Sequence, residues 1–151
     1  MFSQTSLLSH YERYILLPEF NESGYLPLGL HSADLVEVQQ RSGSNDIRKT
    51  LLRHLDNFVE LVRSVGAQKL ILDGSFVTAK ENPADIDVIL VLPDTFDTTT
   101  REARILLESR IRFNIHLFPV REGDDEFFQH WTAFFGHDRN GVPKGLVEVL
   151  L

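Results

Sequence analysis

An α/β (α+β) domain with a central sheet is the fold class this sequence predicts, on three observations. One long stretch carries apolar residues at helical spacing, several short apolar runs are bounded by turn formers, and no repeat, low-complexity tract or linker divides the 151 residues. A chain of this length buries a core without disulfides or a structural metal, so a single domain is expected over residues 1–151.

Residues 1–43 mix turn formers with aromatics, as in "NESGYLPLGLHS", and follow neither period. They are expected to form an ordered N-terminal extension packed on the domain, with a short helix around Ser32 to Arg41. From Ser44 to Val65, Ile47, Leu51, Leu52, Leu55, Phe58, Val59, Val62 and Val65 recur at three- and four-residue steps and share one helical face. Ser44 or Asn45 caps the start of that helix, Asp46 sits in its first turn and Gly66 follows its end. "KLILD" from Lys69 predicts a strand, Gly74-Ser75 a tight exit from it, and "DIDVILVL" a second strand. A helix from about Thr99 to Ser109 precedes a strand in "RFNIHLFPV" that ends at Pro119. "DDEFFQHWTAFFG" predicts a helix with Asp124 and Asp125 at the positive end of its dipole and Gly136 past its end. The tail "GLVEVLL" fits a short helix or a strand.

Composition narrows the function classes. A formal net charge of −7 argues against general nucleic-acid binding, which needs many Lys and Arg to neutralise phosphates. The absence of cysteine removes thiolate metal sites, thiol nucleophiles and disulfides, and fits a reducing cytoplasm. "MFSQTSLLSHYERYILLPEF" has no basic leader followed by a long apolar run, because Glu12 and Arg13 interrupt it, so it is not read as a signal peptide. The longest apolar run, Val88 to Leu92, is far too short to span a bilayer, and a soluble protein without a membrane role is expected.

The chemistry concentrates in "LDGSFVTAKENPADIDVILVL", Leu72 to Leu92. Asp85 and Asp87 are two apart on a predicted strand, so they share one face at about 7 Å and repel. Asp is a poor strand residue, and such a pair in a half-buried place needs a counter-charge or one of the two holds a proton. A divalent cation supplies it, and hard carboxylate oxygens favour Mg²⁺ or Mn²⁺ together with substrate phosphate oxygens. Gly74 permits close backbone approach at the end of the preceding strand, and the Ser75 hydroxyl with nearby amides can hold phosphate oxygens. Lys80, in the connecting loop, can meet a phosphate with its ammonium.

Gly-Ser at the end of an apolar strand, nine intervening residues and then Asp-Ile-Asp-Val resembles the signature of the DNA polymerase beta-like nucleotidyltransferase superfamily, in particular its small minimal members. The resemblance covers Lys69 to Leu92 and extends more loosely to Pro119. "GYLPLGLHS" and "WTAFFGHDRNGVPKGLVEVL" also look like an uncharacterised family of small bacterial proteins related to that superfamily. The resemblance implies a minimal nucleotidyltransferase-like mixed sheet flanked by helices, with Gly74 and Ser75 on nucleotide phosphates and Asp85 and Asp87 on catalytic metal ions. It also implies a nucleoside triphosphate as substrate and a separate protein partner, as in toxin–antitoxin or phage-defence pairs.

One position departs from that pattern. The superfamily supplies a third carboxylate from a later strand, whereas "RFNIHLFPV" offers Asn114 and His116 on one face, with Phe113, Ile115 and Leu117 on the other. His116 can serve as ligand or base in place of the acid, or as a hydrogen-bonded core residue. Two function classes therefore stand side by side. One is an enzyme that transfers a nucleoside monophosphate from a triphosphate to a hydroxyl; the other is a catalytically silent fold of the same kind that binds a partner, with nucleotide sensing as a third reading. Arg101, Arg104, Arg110, Arg112 and Arg121 form a local basic cluster, and Phe127, Phe128, Trp131, Phe134 and Phe135 are too many for one helix face, leaving some for a partner surface.

Overall fold

The computed structural model describes residues 17–151. The first part of the expected N-terminal extension lies outside the described residues. In chain order the elements are β1 (Leu30–Ala33), α1 (Leu35–Ser42), α2 (Asp46–Ser64), β2 (Lys69–Asp73), β3 (Ile86–Leu92), α3 (Arg101–Leu107), α4 (Ser109–Phe113), β4 (Ile115–Arg121), α5 (Asp125–Phe135) and β5 (Leu146–Val149), with a 3₁₀ turn at Gly74–Val77. They make a mixed α+β fold around a five-stranded sheet of order β1-β5-β2-β3-β4. β2 runs antiparallel to both β3 and β5, while β1 is parallel to β5 and β4 is parallel to β3.

The helical spacing of α2 puts Leu51, Leu52, Leu55, Phe58, Val59 and Val62 into the larger core. They pack there with Leu70, Leu72, Val88, Leu90 and Val147 of the sheet. Asn45 caps α2 by accepting from the Arg48 N–H at 2.9 Å. Ile47, in the first turn, stays on the solvent side. The opposite face is smaller: Ile71, Ile89, Val91, Val120 and Leu146 lie under Phe128, Trp131 and Phe135 of α5. Phe127 and Phe134 remain exposed, so the aromatic run divides between core and surface.

Three boundaries differ from the sequence reading. Residues 17–43 contribute an edge strand, β1, to the sheet, and the short helix starts only after Asp34, which caps it by accepting from the Glu37 N–H. The helix expected over Thr99 to Ser109 is divided into α3 and α4, and α4 runs through Arg112 and Phe113. Asn114 ends it in the left-handed region at φ 54, a conformation Asn tolerates, and its amide donates to the Ala84 carbonyl at 2.8 Å. β4 therefore begins at Ile115 and runs through Pro119 to Arg121, and an edge strand tolerates the proline. The tail is a strand, β5, inserted between β1 and β2. Among the described residues no helix is long and apolar enough to cross a membrane.

Candidate functional site

Strand register assembles the site. Asp73 pairs with Asp87 across β2 and β3, and Asp87 pairs with His116 across β3 and β4. One row away, Ile71 pairs with Ile89 and Ile89 with Phe118. Side chains alternate along a strand, so the two rows share the α5 face. The apolar row is covered by α5, while the polar row stays partly open: the side chains of His116 and Asp87 are 43% and 21% exposed. Asp73, at 0%, is fully buried.

Asp85 lies one residue before β3, and its Oδ2 is 3.9 Å from Arg110 Nη2. His116 Nδ1 is 3.4 Å from Asp87 Oδ1. Burial pushes the Asp87 carboxyl above its ordinary value and the charge of Asp85 adds to this, while His116, Lys144 and Arg110 offset part of the rise. Asp73 is pushed up to about 8, first by burial and then by the charge of Asp87, with Lys144 acting in the opposite sense.

The chain leaves β2 through Gly74 at φ +73, where a Cβ would overlap Asp87 Oδ2. This glycine is what lets the loop lie against the carboxylate. Arg48, 4% exposed, fixes the loop from the α2 side. Its guanidinium donates to the carbonyls of Phe76 at 2.9 Å, Thr78 at 2.7 Å and Lys80 at 2.6 Å. Outside the loop lies a cleft of about 380 Å³ lined by Ser23, Gly24, Tyr25, Ser75, Lys80 and Lys144 among others. Tyr25 forms a bridge to Thr78, and its hydroxyl donates to Asp138 Oδ2 at 2.8 Å. Lys144 is placed by its own N–H, which donates to the Gly136 carbonyl at 2.9 Å, and by Gly145, whose close approach to Pro27 and Leu26 leaves no room for a Cβ.

Of the sequence-predicted residues, Asp87 and His116 stand in one row with Asp85 next to them. Gly74 touches Asp87, while Ser75 and Lys80 share the cleft. Four further residues went unseen: Asp73, Arg48, Tyr25 and Lys144. Only Asp73 left a signal, an acid two residues after Ile71 and hence on the same face, immediately before Gly-Ser.

Carboxylates of this kind suit a hard divalent cation, and both buried oxygens of Asp73 lack a hydrogen-bond partner. Among the described residues no three His, Cys, Asp or Glu side chains are gathered into a metal cage. A cation at Asp85 and Asp87 would thus complete its shell with substrate oxygens and water, as Mg²⁺ commonly does.

The chain belongs to a family of unknown function (DUF6932), whose model matches residues 18–150. No curated protein and no solved structure matches it.

Proposed function

We propose that this member of the DUF6932 family binds a nucleoside triphosphate with Mg²⁺ or Mn²⁺ and transfers the nucleoside monophosphate to a hydroxyl acceptor, releasing pyrophosphate. The observation that carries the reading is the contact between Gly74 and Asp87, which sets the carboxylate against the loop whose next residue, Ser75, lines the cleft. Asp85 and Asp87 would hold the cation, whose contribution is to neutralise charge on the phosphate oxygens. Ser75, Lys80 and Lys144 meet the triphosphate from the cleft, two ammonium groups supplying the positive charge that an overall acidic chain otherwise lacks. In the transfer the acceptor oxygen bonds to the α-phosphorus, the bond from that phosphorus to the pyrophosphate oxygen breaks, and the hydroxyl proton leaves to a base. His116 is that base in this reading. With Nδ1 turned to Asp87, Nε2 is the nitrogen free to take the proton.

A second reading, a silent fold that binds a protein partner, is favoured by two observations. β4 places a histidine where a third acid is expected, and Phe134, 63% exposed, and Ile111, 88% exposed, leave apolar surface for contact. Both readings place the protein in the cytoplasm, consistent with a chain that has no cysteine.

Calorimetry of nucleoside triphosphates with and without Mg²⁺ or Mn²⁺, followed by a pyrophosphate assay, tests the enzyme reading. Asp87→Ala should abolish metal-dependent nucleotide binding and leave the fold intact. Equal weak binding by wild type and variant sinks the site. Metal-dependent binding without pyrophosphate release moves the choice to the silent fold.

A further inference from the structure

We propose that Asp73, supplied from β2, shares a divalent cation with Asp87, the two acids holding it with water and substrate oxygens rather than as part of a three-acid cage; this inference rests on the cation-binding reading above. A buried carboxylate ordinarily accepts hydrogen bonds from several donors, and leaving one without any is strongly unfavourable. Asp73 is fully buried, yet neither Oδ1 nor Oδ2 has a partner. Packing does not explain the acid either. Two residues earlier on the same strand and face, Ile71 fills an equally buried place with apolar atoms.

Position explains it. Asp73 stands directly across the ladder from Asp87 with both side chains on the α5 face, and neighbouring side chains on antiparallel strands sit about 5 Å apart at Cβ. Gly74, next along the chain, has no Cβ where one would overlap Asp87 Oδ2, so the Asp87 carboxyl lies against the backbone that follows Asp73. The Lys144 charge offsets part of the rise in both carboxyls. Asp85 lies 3.9 Å from Arg110 and Asp87 3.4 Å from His116, while Asp73 has no basic side chain within ion-pair distance among the described residues. A divalent cation between Asp73 and Asp87 would satisfy the orphan oxygens and offset the repulsion together.

The test is titration of the whole chain with Mn²⁺ alone, read by calorimetry or by the Mn²⁺ resonance signal, beside thermal unfolding in chelator. Asp73→Asn should weaken Mn²⁺ binding at least about tenfold, since even partners outside the ligand shell cost 10–100-fold when lost. In chelator the same variant should melt at or above the wild-type temperature, because it removes a buried acid without partners. Asp73→Ala provides a second variant with the same expectation for Mn²⁺. Unchanged Mn²⁺ affinity in both variants overturns the inference, and all the more so if their metal-free melting temperature falls, which marks a purely structural carboxyl. If Asp87→Ala loses Mn²⁺ while Asp73→Asn keeps it, the cation reading stands and the role of Asp73 falls. A wild-type chain that binds no Mn²⁺ overturns both.

Discussion

Two neighbouring rows of one sheet face have opposite fates. Ile71, Ile89 and Phe118 form a row across β2, β3 and β4, and Asp73, Asp87 and His116 form the next one. Strands, face and partners are the same, and a shift of two residues along each strand converts a dry core into a polar site. The difference lies in what α5 covers. Phe128, Trp131 and Phe135 seal the first row, while Asp87 and His116 in the second keep a way to solvent. A small helix is thus enough to divide a sheet face between a sealed core and a partly open polar row.

Moving charge across the boundary should break the comparison most severely. Ile89→Asp places a carboxylate in a fully buried site with no donor in the row, and should cost on the order of 4 kcal/mol or more in denaturant unfolding. The larger core on the other face gives the reference for ordinary packing. Leu55→Ala, at a residue with no exposure, should cost roughly 2–5 kcal/mol, and a loss below about half a unit would mean that the α2 face is not packed as described.

Asp73 sharpens the comparison through pH. Its carboxyl is raised from an ordinary 3.8 to about 8, so between those values the folded chain holds a proton that the unfolded chain releases. Its contribution to stability is therefore complete below about pH 4, falls as pH rises toward about 8, and is lost above that. In chelator, Asp73→Asn should remove up to about 1.4 kcal/mol per pH unit of slope in this window, measured by unfolding at several pH values. The smallest effect is expected at Ile47, which shares the helical period but not the core. Ile47→Ala should change stability by about 0.5 kcal/mol or less in the same unfolding measurement.

Most of the architecture was legible because its period is strong. The apolar steps of α2 and the uninterrupted run of β3 are physical consequences of burial on one helical face and on two strand faces. The candidate site was legible where its residues lie within one segment, at Gly74, Ser75, Asp85 and Asp87. Asp73 was not, since its meaning depends on which strand pairs with β2 and in what register. Lys144 and Tyr25 lie on irregular segments that only the close packing of Gly145 and the bridge from Tyr25 to Thr78 bring to Ser75. Arg48 carries no mark in the sequence that sets it apart from other charges on the helix, yet its guanidinium turns inward onto carbonyls of a loop some thirty residues further along the chain.

That guanidinium bears on the thermodynamics of ligand capture. Arg48 holds Phe76, Thr78 and Lys80 through their carbonyls from a buried position on a nineteen-residue helix, so the loop is tied to α2. Ordering a flexible loop at the moment of binding subtracts from affinity, and here the ordering belongs to folding instead. In the proposed reading, a phosphate ligand would accordingly meet a pre-ordered loop, with an association rate set by diffusion and charge and little entropy lost from the backbone of residues 74–80.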